Sequence, residues 1–270
     1  MTPDDAKPVR VPDLKAMKRR GEKIVMLTAY DASMARLLDR AGVDVLLVGD
    51  SLGMVIMGCE NTLPVTLEAM LHHVRAVRRG VRRALVVADM PFMSYQVSVA
   101  EAVRNAGRLI QEGGASAVKL EGGRPVLDVV RRLTEIGIPV MGHLGLVPQS
   151  VHQLGGFRPR ARDEREAERL LEEARELEQA GAFALVLESI PAEVARSVTQ
   201  ALSIPTIGIG AGPHCDGQVL VSYDIFGLYE GPLPPFVKQY ARLGELMVEA
   251  ARAYAEDVRQ GRFPPQEATA

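Results

Sequence analysis

The chain has 270 residues, of which 47% are hydrophobic and 24% charged, the balance of an ordinary globular protein. Its formal net charge of −2 and its 4% aromatic content, without tryptophan, provide neither the basic surface nor the stacking side chains of a nucleic-acid binder. We therefore expect no nucleic-acid partner and a protein that acts on small molecules.

Targeting and redox signals point to the cytoplasm. The N-terminal region is charged and lacks the apolar core of a signal peptide, and no apolar run reaches the roughly 18 residues of a membrane span. Cys59 and Cys215 have no metal-type CxxC spacing, and a disulfide framework is not expected at this size. The sequence predicts a cytoplasmic protein with no membrane association.

Eight short runs rich in Val, Ile and Leu alternate with amphipathic helical patterns. The runs are continuous, as expected of parallel strands buried on both faces. We predict strands near residues 24–29, 44–49, 84–89, 116–120, 138–142, 183–187, 204–209 and 218–222. Asp31 and Thr66 are predicted N-caps of helices between them. This alternation predicts an α/β fold, a (β/α)8 TIM barrel that forms a single domain over residues 1–270.

A doubly wound open sheet is the competing architecture. It normally carries G-x-G-x-x-G after its first strand, and the segment VMLTAYDAS has no such motif. The glycine cluster GIGAGPH at 208–214 comes late and has Pro213 where the third glycine belongs. We therefore favour the barrel, in which this cluster is either a phosphate-binding loop or a close approach of backbone to a ligand.

Two segments go beyond a plain barrel. Residues 144–162 are long for a βα loop and rich in Gly and Arg, and we predict a lid there. Its arginines, either solvated or facing an acidic cofactor tail, are Arg158, Arg160 and Arg162. Residues from about 239 to 260 predict a C-terminal helical extension, which either covers the barrel or packs on a partner subunit.

Acidic residues follow three neighbouring predicted strands. Asp50, Asp89 and Glu121 lie at the carboxyl ends of the second, third and fourth strands, the catalytic face of a barrel. Carboxylates gathered in a partly dry pocket repel one another, and a divalent cation relieves that repulsion. All-oxygen ligation suits Mg2+, so these acids predict a magnesium site. The alternative is that each acid caps a helix or a turn.

Three further polar residues follow strands. Lys119 shares the strand face of Glu121 and either holds an anionic substrate, forms a Schiff base or makes a salt bridge. His143 either hydrogen-bonds a substrate oxygen or is structural. Glu188 lies across the barrel from the acids and is the predicted general base; helix capping or ion pairing is its alternative.

From about residue 11 to 262, the chain resembles the ketopantoate hydroxymethyltransferase family. The motifs that carry the resemblance are TAYDAS at 28–33, VGDSLGM at 48–54, LPVTLEAM at 63–70, VKLEGG at 118–123, GHLGLVPQSV at 142–151 and IGIGAGPHCDGQVLV at 207–221. The family implies a barrel of the phosphoenolpyruvate/pyruvate type, assembled as a homodecamer built from dimers.

The resemblance also implies an activity. A hydroxymethyl group passes from 5,10-methylenetetrahydrofolate to 3-methyl-2-oxobutanoate through an Mg2+-stabilised enolate, giving 2-dehydropantoate for pantothenate biosynthesis. By matching motif, the metal acids are Asp50, Asp89 and Glu121, the ketoacid-binding residues are Asp50, Ser51, Asp89 and Lys119, and the proton acceptor is Glu188. Lys119 and His143 are expected to assist catalysis.

Two alternatives stay open. One is another Mg2+-dependent, enolate-forming C–C lyase on the same barrel; such enzymes usually need a cysteine between the fourth and fifth strands, where neither Cys59 nor Cys215 lies. The other is a non-catalytic binding barrel.

Overall fold

The computed structural model describes residues 7–265, in which eight parallel strands close into a barrel in chain order. The strands are β1 Ile24–Thr28, β2 Val45–Val48, β3 Leu85–Asp89, β4 Ala117–Lys119, β5 Val140–Gly145, β6 Ala184–Glu188, β7 Thr206–Ile209 and β8 Gly217–Leu220. Each overlaps one of the predicted runs, so the predicted barrel is confirmed.

Eleven α-helices alternate with or follow the strands along the described part of the chain. They are α1 Val11–Arg20, α2 Ala32–Arg40, α3 Leu52–Val55, α4 Leu67–Gly80, α5 Val99–Gln111, α6 Leu127–Glu135, α7 Val151–Leu154, α8 Glu164–Gln179, α9 Ala192–Ala201, α10 Ser222–Ile225 and α11 Leu243–Arg259. Both predicted N-caps are confirmed, because the side chains of Asp31 and Thr66 accept backbone N–H groups of the first turns of α2 and α4.

The connection from β7 to β8 contains no helix. Residues 210–216 connect the carboxyl end of β7 to the amino end of β8. This connection is short, because a crossover between neighbouring parallel strands usually takes about a dozen residues or more. Gly212 has φ +74°, and a Cβ on it would lie 2.5 Å from the Cβ of Ala192. The glycine cluster thus allows a short, tightly packed crossover.

Helix α1 was not predicted from the sequence, because its apolar stripe is short. Leu14 is its one fully buried residue, and it joins the buried cluster that includes Ile24 and Val45. Lys18 Nζ forms an ion pair of 2.9 Å with Asp216 Oδ2, just before β8. These contacts fix α1 against the starts of the strands.

Alternate residues of each strand fill the barrel interior, as the two-residue period of a strand requires. On β3, Leu85 and Val87 belong to the central hydrophobic cluster, and Asp89 is the next residue on that side. On β6, Ala184 and Val186 precede Glu188 in the same way. A polar layer therefore lies on the apolar core at the carboxyl end of the barrel.

The chain divides into two compact units, of which one ends at Leu220 and the other begins at Val221. The second unit contains α11, which confirms the predicted C-terminal helix. Within it, Leu246 and Met247 are 59% and 63% exposed. The single domain over residues 1–270, and the packing of this helix on a partner subunit, stay predictions. Across residues 7–265, no helix combines the length and apolar character needed to cross a membrane.

Candidate active site

The three acids of the predicted metal site are buried at the carboxyl end of the barrel. Asp50, Asp89 and Glu121 are only 4%, 3% and 6% exposed. The backbone N–H of Asp50 donates to Asp89 Oδ2 at 3.1 Å, which joins the ends of β2 and β3. The structure therefore brings the first two acids into direct contact, as the strand order predicts.

Glu121 is connected to Asp50 through Gln149, a residue that the sequence reasoning missed. The backbone N–H of Gln149 donates to Glu121 Oε2 at 2.9 Å, and its side-chain Nε2 donates to Asp50 Oδ2 at 2.9 Å. Gln149 is uncharged and lies in a segment predicted only as a lid. Its position shortly after β5, at the catalytic end of the barrel, was the available signal.

Lys119 contacts both an acid and a histidine. Its Nζ lies 2.7 Å from Asp89 Oδ1 and donates to His143 Nδ1 at 3.1 Å. Burial alone would lower the pKa of Lys119, but Asp89 and the other acids nearby raise it overall. The charged ammonium form is therefore favoured, which supports anion binding and argues against a Schiff-base nucleophile.

His143 lies between Lys119 and Glu188. Burial, reinforced by the charge of Lys119, lowers the pKa of His143 well below its usual value, so the ring is neutral. Because Nδ1 accepts from Lys119, the hydrogen-bond pattern assigns the ring proton to Nε2. That nitrogen lies 3.1 Å from Glu188 Oε2, without the alignment of a hydrogen bond.

Glu188 is the last residue of β6 and is separate from the acid trio. Burial raises the pKa of Glu188 to about 7, an effect that Lys119 partly opposes. The side chain is 16% exposed, more than its buried neighbour His143 at 4%. A carboxylate with a pKa near neutrality has the properties of a general base.

Ser51 directly follows Asp50 and precedes α3. Its Oγ lies 2.9 Å from the hydroxyl of Tyr30. A Cβ on Gly49 would lie 2.9 Å from Ser51 Oγ, so the Ser51 side chain packs closely against the backbone of Gly49. The structure thus places Ser51 beside the acids, as the resemblance implies.

The acids fit a divalent cation in charge and in donor type. Burial raises the pKa of Asp50 to about 7, with Asp89 adding to the shift, and burial raises the pKa of Glu121 as well. Asp89 Oδ1 is buried and has the ammonium group of Lys119 at 2.7 Å. These acids have Lys119 as a neighbouring cation, so a second positive charge would stabilise their ionised forms.

The arrangement also limits how a cation is held. Within the described residues, no three His, Cys, Asp or Glu side chains already converge closely enough to bind a metal together. Mg2+ usually takes one or two carboxylates and keeps water in its other positions. Asp50, Asp89 and Glu121 are therefore suited to hold it partly through water.

The predicted lid contains regular structure. A 3-10 turn covers Pro148–Ser150 and is followed by α7. Further along, the backbone N–H of Arg160 donates to the carbonyl of Ser189 at 2.9 Å, beside Glu188. The segment therefore runs from the acids to the end of β6. Its opening and closing as a lid stays a prediction.

Comparisons with known proteins identify the family to which this chain is similar. The family model for ketopantoate hydroxymethyltransferase matches residues 8–266. A relative from Moorella thermoacetica, named 3-methyl-2-oxobutanoate hydroxymethyltransferase, is 60% identical over 259 residues, which is 96% of each chain. A relative of the same name from Syntrophus aciditrophicus is 59% identical over 254 residues, covering 94% of this chain and 93% of its own.

Solved structures with the same fold have much lower identity. Phosphonopyruvate hydrolase, in complex with oxalate and Mg++, has a TM-score of 0.62 at 13% identity, covering 96% of this chain and 90% of its own. The 2,3-dimethylmalate lyase of the PEP mutase/isocitrate lyase superfamily has a TM-score of 0.60 at 17% identity, covering 97% and 89%. They show the type of barrel, and the family match together with the close relatives goes further: this chain belongs to the ketopantoate hydroxymethyltransferase family.

Proposed function

We propose that this chain transfers a hydroxymethyl group from 5,10-methylenetetrahydrofolate to 3-methyl-2-oxobutanoate. The reaction consumes one water and gives 2-dehydropantoate and tetrahydrofolate. The observation that carries the proposal is that one buried layer holds two separate sets of titratable side chains. An acid cluster with Lys119 lies on one side, and Glu188, with its pKa raised to about 7, lies on the other side of His143.

Asp50, Asp89 and Glu121 are the residues that would hold Mg2+. When bound there, the ion would supply Lewis-acid polarisation of the ketoacid, which would make its C3 proton more acidic. The raised pKa values of Asp50 and Glu121 support this assignment, because both groups gain from a nearby cation.

Lys119 and the turn at Asp50 and Ser51 are proposed to bind the anionic end of the ketoacid. Lys119 is buried and charged, and its ammonium group can make charge-assisted hydrogen bonds to a carboxylate. Its contact with Asp89 at 2.7 Å fixes its position before the substrate arrives.

Glu188 is proposed to remove the C3 proton of the ketoacid. The electron pair of the broken C–H bond becomes the enolate. Water breaks the two C–N bonds that hold the one-carbon unit in the folate, giving its oxygen to that carbon and its two protons to the nitrogens. C3 of the enolate then forms the new C–C bond, and the proton taken by Glu188 goes to the resulting alkoxide. A positioned base contributes about 10²–10⁴-fold to rate. His143 places its neutral ring next to Glu188, with Nε2 3.1 Å from Oε2, and is suited to restrict the position of that carboxylate by contact.

Segment 144–162 is proposed to cover the site during reaction. The side chains of Asp50, Asp89, Lys119 and His143 are almost fully buried, so a substrate reaches them only when covering residues move. Exclusion of water would protect the reactive one-carbon donor. The exposed side chains of Arg158 and Arg162 are candidates to meet the acidic tail of the folate.

The wider setting follows from family membership. We propose a homo-oligomer, a decamer by resemblance, that works in the cytoplasm in pantothenate biosynthesis. Size-exclusion chromatography with light scattering tests the assembly. The exposed apolar side chains of α11, among them Leu246 and Met247, are consistent with a partner subunit.

A turnover assay tests the activity. The enzyme is incubated with 3-methyl-2-oxobutanoate, methylenetetrahydrofolate and Mg2+, and 2-dehydropantoate is measured with and without EDTA. We expect Mg2+-dependent product from the natural chain and from the control Glu168→Gln, an exposed position on α8. Absence of both product and Mg2+-dependent C3 proton exchange would favour a non-catalytic barrel, whereas C–C cleavage of another 2-oxoacid or hydroxyacid would favour a lyase.

A further inference from the structure

Gln149 has every hydrogen-bonding capacity of its side chain engaged inside the site. Its Nε2 donates to Asp50 Oδ2 and to the carbonyl of Met90, each at 2.9 Å. Its Oε1 accepts from the Tyr95 hydroxyl at 2.7 Å and from Gln96 Nε2 at 3.2 Å. The residue is 5% exposed. A buried amide with two donated and two accepted hydrogen bonds is held in one orientation.

The same residue also binds the second acid. Its backbone N–H donates to Glu121 Oε2 at 2.9 Å. The Tyr95 hydroxyl, which donates to Gln149 Oε1, accepts the backbone N–H of Glu121 at 3.2 Å. Gln149 therefore fixes one oxygen of Asp50 through its side chain and one oxygen of Glu121 through its backbone, and Tyr95 holds the Gln149 amide. This sets the direction in which the other oxygen of each carboxylate points.

We propose that Gln149 is a positioning residue, supported by Tyr95, that holds Asp50 and Glu121 in the orientation in which they bind the divalent cation. The inference rests on the proposed function only in taking these acids as the cation site. Groups that hydrogen-bond to metal ligands typically change metal affinity by about 10- to 100-fold when they are removed.

The backbone on either side of Gln149 is also hydrogen-bonded to the end of β6. The N–H of Leu146 donates to the carbonyl of Glu188 at 2.9 Å, and the N–H of Arg160 donates to the carbonyl of Ser189 at 2.9 Å. These two bonds connect the segment to the end of β6 on both sides of Gln149. A side-chain change at Gln149 should therefore alter the acids and leave the position of the base Glu188 unchanged.

The main test is Gln149→Met in the full chain. Methionine keeps the length of the side chain and the backbone N–H that bonds Glu121, but it removes the donor to Asp50. We expect the Kd for Mg2+, measured by isothermal titration calorimetry without ketoacid, to rise about 10- to 100-fold. Turnover should fall at low Mg2+ and recover at saturating Mg2+, with the pH dependence of C3 exchange unchanged.

The matched control is Gln200→Met, the same change at an exposed position of α9, outside this segment. It should leave the Kd for Mg2+ and turnover unchanged. Tyr95→Phe provides a second variant that keeps the aromatic ring and loses only the hydroxyl. We expect a smaller rise in the Kd for Mg2+ in the same direction, so the inference can be tested even when Gln149→Met folds poorly.

The outcomes separate this inference from the proposed function. A wild-type Kd for Mg2+ in folded Gln149→Met or in Tyr95→Phe, or a turnover loss that saturating Mg2+ does not recover, overturns the positioning role. If Mg2+ binding depends on Gln149 but the natural chain catalyses neither exchange nor transfer, the positioning role stands and the hydroxymethyl transfer fails. If the natural chain catalyses hydroxymethyl transfer but its Mg2+ affinity does not depend on Gln149, the proposed function stands and the positioning role fails.

Discussion

His143 Nε2 lies 3.1 Å from Glu188 Oε2, and the other nitrogen of the same ring accepts a hydrogen bond from Lys119. The ring therefore connects the proposed anion-binding lysine to the proposed base. Because the pKa of His143 is lowered by burial and by Lys119, the ring stays neutral and does not compete with Glu188 for the substrate proton. We therefore propose a positioning function for His143, the residue whose role the sequence defined least.

Replacement of Glu188 by glutamine should stop proton abstraction. Glu188→Gln keeps the size of the side chain and removes the basic oxygen, so we expect C3–deuterium exchange of 3-methyl-2-oxobutanoate to fall by about 10²-fold or more. Ketoacid affinity should change little, because Lys119 and the acid cluster are intact. Exchange is followed by NMR in D2O, and exchange at the wild-type rate would place the base elsewhere.

The pH dependence of exchange should show the raised pKa of Glu188. A base acts only when it is deprotonated, so the rate should rise with pH through the pKa of Glu188 and then level off. Burial raises that pKa to about 7, and a bound cation in the acid cluster lowers it. We expect an acidic midpoint above the roughly 4.3 of an ordinary glutamate and no higher than about 7.

The check is a rate profile of C3 exchange at saturating Mg2+. If the exchange rate already levels off just above roughly pH 4.3, the pKa of an ordinary glutamate, then Glu188 is not desolvated in the working enzyme.

Removal of the charge of Glu121 should weaken metal binding. Glu121→Gln keeps an oxygen that can accept the N–H of Gln149 but loses the negative charge, so we expect the Kd for Mg2+ to rise about tenfold or more. Isothermal titration calorimetry measures the change, with Glu168→Gln on the exposed face of α8 as the matched control. Unchanged affinity would remove Glu121 from the metal set.

Loss of Lys119 should destabilise the fold in a pH-dependent way. Lys119→Met leaves Asp89 buried without its ion-pair partner, and breaking a buried pair typically costs about 3–5 kcal/mol. Without the lysine, the neighbouring acids favour their protonated forms more strongly in the folded state. Stability that depends on raised carboxyl pKa values is present at low pH and lost as pH rises through those values.

The free-energy difference from wild type should therefore be larger near pH ~8 than near pH ~5.5, and Mg2+ should reduce it near pH ~8. Urea unfolding at both pH values measures this difference, with Lys7→Met at an exposed position as control. An equal loss of stability at both pH values would show that the lysine acts through packing rather than charge.

Most of the site could be predicted because it continues the pattern of the strands. Asp89, Lys119, His143 and Glu188 occupy positions on four adjacent strands, and Asp89 is in register with Lys119. A parallel barrel places the ends of all its strands on one face, so the order of the strands alone brings such residues together. The catalytic roles proposed for them came from residue type and from the resemblance.

Other features could not be read from local pattern. Gln149 contributes through a loop conformation that brings an uncharged side chain to two acids, and no periodicity encodes that contact. Helix α1 has Leu14 as its one fully buried residue, too few for an amphipathic signal. The crossover from β7 to β8 carries no helix, and the glycines that permit it resemble a phosphate-binding loop in sequence.

That crossover provides the last prediction, because it separates close packing from ligand binding as the reason for the glycines. Gly212→Ala would place a Cβ 2.5 Å from the Cβ of Ala192 and would hold a non-glycine residue at φ +74°. Left-handed backbone costs about 1–2 kcal/mol, and overpacking adds about 1–3 kcal/mol. The matched control is Gly155→Ala, at φ +67° with no atom within 4 Å of the added Cβ. It has the backbone cost alone, so urea unfolding should show Gly212→Ala as the more destabilised variant by about 1–3 kcal/mol. Equal stability losses, together with impaired ketoacid or folate affinity only in Gly212→Ala, would instead assign the glycine cluster to ligand binding.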